Sequence, residues 1–396
     1  MSSKFAALIG ALLAAAMVYG QVPVAAEATP SAERFFQPSP EEKPLACEVR
    51  PLAPELSYRL VYRAGYLATV PMGQFTASQR GLAVLIRVTP QRAGARPLLL
   101  KDFAKFPERS SEQGRDASKF EAQIPGGFLL GEGQYHAELL LVDERQRVCR
   151  KAWDLELKPH KAVNAVLSPG QLLAFSQLEW PHLGARAGSL TVLVNAGKPA
   201  GNRVLLESLG GILEQMAFSH VRVVAFSLDQ RKELLRQEVA GAADLRRVEE
   251  ALDGFNAATV SYDVLRDPAG LGKFVARLLV QEEAPAAPGH AVLFLGYAAL
   301  DDSHVPTPEA CTDGSRKALY AYFDFVPAEP VRRERPPEAS MRRHRGGWAE
   351  PVPMARLMPD AISRITHACS GKVYHIASPN DLATALQETD QLLPGR

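Results

Sequence analysis

A change of hydrophobic period near the middle of the chain constrains its fold more than any other feature. From residue 189 onward, the apolar runs "LTVLVN", "VRVVAFS", "ATVSYDVL", "AVLFLG", "ALYAYFDFV" and "KVYHIA" alternate with stretches of helical period. The helical stretches are "NRVLLESLGGILEQMAF", "AADLRRVEEALDGF", "GLGKFVARLLVQEE", "PDAISRITHAC" and "PNDLATALQETDQLL", the last with Pro379 at its start and Ser378 as N-cap. Strands this uniformly apolar have both faces buried, and the intervening helices supply the cover. The pattern predicts an α/β domain over residues 189–394, with a largely parallel sheet covered on both faces.

Upstream, the period is two. "LSYRLVYRAGYLATVPM" and "GLAVLIRVTP" read as strands. "GQYHAELLLVDERQRVCRKAWDLELKP" reads as a hairpin turning at "DERQ", with Trp153 in the core. Several short strands at this spacing predict an Ig-like β-sandwich over residues 45–160. The pattern weakens over 161–188, read as a linker, and residues 27–44 are Pro- and Ser-rich, read as a flexible leader.

The N-terminus reads as an export signal, residues 1–26. Lys4 precedes the short apolar run "FAALIGALLAAAMV", and small residues permit cleavage after Gly20 or after Ala26. The run is shorter than the roughly 20 residues that span a bilayer, so no transmembrane anchor is expected after cleavage. A secreted or periplasmic location follows. Export makes the four cysteines a disulfide question. Three pairings are open; Cys47 with Cys149 and Cys311 with Cys369 keep each bridge inside one domain, and free thiols are the alternative. A formal charge of +1 gives no global field toward nucleic acid, which is not expected as a partner.

"LTVLVNAGKP", "VRVVAFS" and the ending "SGKVYHIASPNDLATALQETDQLL" resemble the von Willebrand factor A (vWA) family, over about half the chain. With "GGFLLGEGQYHAELLLVDERQRVCRKAW", the whole also resembles secreted proteins common in Acidobacteria. The resemblance implies an open, α/β doubly wound (Rossmann-like) sheet with its ligand crevice at the C-terminal strand ends. Family members hold a metal there with Asp-x-Ser-x-Ser after the first strand, a Thr from a later loop, and an Asp after the fourth strand. The corresponding positions here are Asn195, Gly197, Pro199, Thr259 and the run Gly296-Tyr297-Ala298. Carboxylates and serines are gone, and Mg²⁺ requires oxygen ligands with charge to neutralise it. The metal-ion-dependent adhesion site therefore reads as degenerate, with no metal and no cofactor expected.

Asp301, Asp302 and His304, beyond the fourth strand, read either as a relocated acid cluster or as a polar loop. No G-x-S-x-G and no Walker loop occurs, so no enzyme is expected; a hydrolase built on those three residues is the alternative. The insertion 327–351 is basic through Arg332, Arg333, Arg335, Arg342, Arg343, His344 and Arg345, with Trp348. It reads as a binding arm for an acidic partner or as a solvated loop. The expectation is an exported, non-catalytic binding protein of adhesion type that works through protein partners outside the cytoplasm, or a structural component of an envelope assembly.

Overall fold

The computed structural model describes residues 21–76, 79–92, 94–106, 120–158, 166–180, 183–197, 199–255, 264, 266–267, 269–282, 289–298, 318–326 and 360–393. The chain divides into two compact units, Met1–Glu179 and Trp180–Arg396, at a point inside the segment read as a linker.

The first unit contains β1 (Val22–Pro23), helix α1 (Thr29–Glu33), β2 (Lys43–Pro44), β3 (Glu48–Leu56), β4 (Tyr62–Pro71), β5 (Gly81–Pro90), β6 (Leu98–Lys105), β7 (Glu121–Leu130), β8 (Gly133–Asp143), β9 (Arg147–Leu157) and β10 (Leu172–Leu173). One sheet has the order β1-β6-β5-β8-β9-β2 and the other β10-β7-β4-β3. All pairings are antiparallel except the two-residue β2 on β9. The alternation seen in sequence sets the inner faces: Val84, Ile86 and Val88 of β5 share one core with Tyr135, Ala137, Leu139 and Leu141 of β8, and with Tyr66, Ala68 and Val70 of β4. Trp153 packs against that core, edge-on to Tyr66 at 6.3 Å between ring centroids. Tyr66 needs a glycine opposite: a Cβ on Gly126 would lie 2.3 Å from its hydroxyl. At the hairpin turn, Asp143 Oδ1 accepts from the N–H groups of Arg145 and Arg147, at 2.9 and 2.8 Å.

Residues 27–44, expected to be a flexible leader, carry defined structure instead. Ala32 and Phe36 bury themselves with Val24 against Leu85, Leu99 and Leu140 on the outer face of the first sheet. Arg87 ion-pairs with Glu33 at 3.0 Å and lies over the Phe36 ring at 4.6 Å, while Arg150 donates to the Phe35 carbonyl at 2.7 Å. The physical reason is that β5 and β8 are apolar on both faces, so their outer leucines need cover.

The second unit contains β11 (Arg186–Asn195), α2 (Pro199–Met216), β12 (Phe218–Ser227), β13 (Lys232–Val239), α3 (Ala242–Asp253), α4 (Ala269–Glu282), β14 (His290–Tyr297), β15 (Leu319–Phe325), α5 (Ala361–Ala368), β16 (Lys372–Ile376) and α6 (Pro379–Leu392). Its sheet has the order β13-β12-β11-β14-β15-β16, parallel except for the β12–β13 hairpin. One face packs Leu193, Phe226, Phe294 and Tyr322 against Phe274 and Leu278 of α4 and Ile362 and Ile365 of α5. The alternate residues Val192, Val194, Leu295 and Phe323 are equally buried, with α2 against β11 and α6 against β15 and β16. Ser378 caps α6 by accepting from the Asp381 N–H, as expected. The expected strand "ATVSYDVL" lies mostly outside the described residues, and the second edge strand is β13, from "KELLRQEV".

Cys47 and Cys149 form a disulfide. Cys47 immediately precedes β3 of one sheet and Cys149 lies in β9 of the other, so the bridge ties the two sheets where the chain passes from β2 to β3. Cys369 is also disulfide-bonded, and Cys311 lies outside the described residues. The Cys47–Cys149 bridge closes a sequence separation of 102 residues. Replacing both by alanine is expected to cost about 4–5 kcal/mol on the chain-entropy model for a loop of that size. Equilibrium urea unfolding measures it, and an unchanged midpoint would contradict the stabilising role.

Candidate functional site

From β11 the sheet extends to β12 on one side and to β14 and β15 on the other, so the C-terminal ends of β11 and β14 are neighbours, where the resemblance places its crevice. Asn195 and Gly296 stand there, one step past the last paired residues, Val194 and Leu295. Asn195 is buried, and its Oδ1 accepts from the Leu228 N–H at 3.1 Å, fixing the loop after β12. A Cβ on Gly296 would sit 2.8 Å from the Asn195 Cβ, so the glycine is a matter of space. Gly197 donates its N–H to Asn202 Oδ1 at 2.7 Å, and Asn202 Nδ2 donates to the Leu252 carbonyl at 2.8 Å. Asn202, wholly buried in α2, thus ties the loop to α3; nothing in its sequence setting distinguishes it from any other helical asparagine.

Tyr297 lies across this loop. A Cβ on Gly201 of α2 would be 2.7 Å from the Tyr297 ring, and one on Gly197 would be 4.0 Å from it. The ring also meets Phe325 at 6.1 Å between centroids. Pro199 begins α2. Among the positions compared with the family's metal ligands, then, Asn195, Gly197, Gly296 and Tyr297 come together, while Thr259 lies outside the described residues. So do Asp301, Asp302, His304 and the basic segment with Arg332, Arg333, Arg342, Arg343, Arg345 and Trp348. Among the described residues, no group of three or more His, Cys, Asp or Glu is placed to hold a metal ion.

Sequence reading misses the polar cluster beside the crevice. In parallel register, Gly296 pairs with Asp324, and Asp324 with His375, so a row runs across the strand ends from Asn195. Asp324 is 7% exposed, with His375 Nδ1 2.9 Å from its Oδ2. Its Oδ1 is buried with no partner in hydrogen-bonding geometry. Asp360 caps α5, with Oδ1 accepting from the Ser363 N–H at 2.7 Å and Oδ2 from the Tyr322 hydroxyl at 3.2 Å. Burial raises the Asp324 pKa, opposed by the His375 hydrogen bond and reinforced by the Asp360 charge. Burial likewise raises that of Tyr322, with Asp360 and Asp324 both contributing. A sequence signal exists: "YFDF" places an acid inside an otherwise apolar strand.

At the opposite end of the sheet, Ser189 Oγ lies 2.7 Å from His290 Nδ1. His290 Nε2 is buried without a hydrogen-bond partner, so among the described residues no carboxylate orients the ring as the third member that activates a serine. Burial, then the Arg222 charge, lower the His290 pKa below 6.5.

Both shifts give pH-dependent stabilities. The raised Asp324 pKa favours the fold below the usual carboxylate range of about 4 and loses that contribution as pH rises through the folded value. Wild type is expected to lose stability relative to Asp324→Asn as pH rises from 4 to 7, read as Tm; a pH-independent difference would contradict the shift. His290 works in the opposite sense. Its lowered pKa stabilises the fold above 6.5 and is lost as pH falls through the folded value. His290→Gln is expected to flatten this part of the acid limb of the Tm profile, and an unchanged limb would rule the residue out.

No family model matches the chain, and no curated protein matches it. Among solved structures, the X-ray structure of a Northeast Structural Genomics Consortium target is 13% identical with a TM-score of 0.18, covering 30% of this chain and 95% of that one. A glycosyl hydrolase family 2 member from Bacteroides cellulosilyticus is 11% identical with a TM-score of 0.20, covering 71% of this chain and 38% of that one. At these TM-scores neither likeness bears on fold or activity.

Proposed function

We propose that the chain is an exported, non-catalytic binding protein: an Ig-like sandwich joined to a vWA-like domain whose metal position is occupied by protein. The observation that carries this reading is Tyr297, whose ring lies on Gly201 and across Gly197 where the resemblance places an ion. The strand order with its antiparallel edge supports a doubly wound domain. Asn195 gives its oxygen to a backbone N–H, so the loop is self-sufficient without a cation. The partner meets an aromatic surface beside a buried carboxyl, Asp324, whose Oδ1 accepts no hydrogen bond.

Export is supported by the Cys47–Cys149 disulfide, which accords with an oxidising compartment. No described helix is long and apolar enough to cross a membrane. A role in an envelope assembly with the segment 327–351 as tether is compatible with this reading. The hydrolase alternative at Asp301, Asp302 and His304 gains no observation in its favour.

Two measurements test the proposal. Calorimetric titration of the purified protein with Mg²⁺ or Ca²⁺ is expected to give no saturable heat, and a one-site isotherm would sink the claim that protein fills the position. A photo-crosslinking aromatic at position 297 is expected to yield a discrete protein adduct in intact cells. The same label at Lys151, on β9 of the first unit, should not give that adduct. Identical patterns at the two positions would remove the crevice from binding.

A further inference from the structure

Two cleavage points suit the leader, after Gly20 and after Ala26, and the small residues preceding each do not choose between them. The folded residues that follow do. Gln21 is 8% exposed. Its Nε2 donates to the Tyr66 hydroxyl at 2.6 Å, and its Oε1 accepts from the Gly127 N–H at 2.9 Å. Val22 and Pro23 pair with Lys101 and Leu100 of β6, and the Val24 N–H donates to the Leu99 carbonyl at 2.9 Å. The Val24 side chain belongs to the apolar cluster of Ala32, Phe36, Leu85, Leu99 and Leu140.

Cleavage after Ala26 would discard every one of these contacts. The Tyr66 hydroxyl and the Gly127 N–H, both in the interior, would lose these partners, and leaving buried polar groups unpaired is costly. β6 would become an open sheet edge, the kind of edge folded proteins cover. An export signal is discarded, whereas these residues are built into the fold from Gln21 onward.

We infer that the leader is cut between Gly20 and Gln21, and that Gln21 is a structural N-terminal residue of the first unit. The step is a hydrolysis: water adds at the Gly20 carbonyl and the Gly20–Gln21 C–N bond breaks. Gly20 leaves as a carboxylate with the leader, and Gln21 keeps the amine. The bonds described above belong to its side chain, so the cut leaves them in place. They also determine the fate of the new terminus. An N-terminal glutamine cyclises when its α-amine attacks Cδ and expels the side-chain nitrogen as ammonia. Here that nitrogen is bonded to Tyr66 and the oxygen to Gly127, so the amide is fixed and the folded chain keeps an open glutamine.

The inference rests on the export reading, and the test separates the two. The full chain is expressed with its own leader in a Gram-negative host, and the periplasm and medium are analysed by intact mass and N-terminal peptide mapping. The expected species begins at Gln21 and retains its ammonia when folded, then loses it on prolonged incubation in denaturant. A species beginning at Glu27 in the exported fractions would overturn the cut site while leaving export standing. An uncleaved chain confined to the cytoplasm would overturn export and the cut together. Rapid ammonia loss from the folded protein would overturn the fixed amide. Gln21→Ala, cut at the same bond, is expected to lower Tm, and an unchanged Tm would overturn the structural role of the side chain.

Discussion

A parallel sheet covered on both faces leaves its strand ends as the place where backbone groups lack ladder partners, and the second unit depends on how those are satisfied. Where β11 ends beside β14, the chain must turn sharply into α2 while the neighbouring loop returns from β12. A bound ion could organise such a crossing. Here two asparagines do it: Asn195 reaches sideways to the Leu228 N–H, and Asn202 reaches back from the helix to the Gly197 N–H and across to the Leu252 carbonyl. The space is left to Tyr297, which Gly201 admits by having no side chain.

The same row of residues explains why the polarity at this edge is concentrated on β15. Beyond Gly296, the next residue in register is Asp324, and the helix packed over it starts with Asp360. Two carboxyls and one tyrosine hydroxyl then share a volume that admits little water. Desolvation makes charge on Asp324 unfavourable there, which is why its pKa is pushed upward although the His375 imidazole stands beside it. Asp360 is compensated by the Ser363 N–H at the start of α5. One carboxyl therefore serves the helix cap, and the other keeps one buried oxygen without a hydrogen-bond partner.

How much of this is legible in the sequence depends on whether a residue's role is local. The strands that apolar periodicity marks are present as β4, β5, the β8–β9 hairpin, β11, β12, β14, β15 and β16, while "ATVSYDVL" falls largely outside the described residues. β13 escapes that reading because "KELLRQEV" is rich in charge and mostly half-buried, with no apolar run or alternation to mark it. β7 escapes it because "EAQIPGGFLL" carries the glycines that let Tyr66 sit over Gly126, and glycine pairs read as turns. At the site, the residue types at the positions the resemblance picks out are legible one by one. What holds the loop is not: a tyrosine lying on a helix glycine, or an asparagine serving a loop 33 residues away, is a relation in space that no spacing encodes.

The leader shows the same limit from the other side. Pro, Ser, Ala and Glu between residues 27 and 44 are the composition of a solvated tether, and nothing local contradicts it. The contradiction lies far along the chain, in Leu85 and in the unbroken run Leu139-Leu140-Leu141-Val142, which puts leucine on both faces of β8. An antiparallel sheet with one wet face alternates; this one does not, so its outer face demands a cover, whichever residues supply it. Phe36, with Arg87 over its ring and Arg150 holding the carbonyl before it, is what the chain has available upstream. The N-terminal segment is therefore specified less by its own composition than by the apolar surface it has to cover.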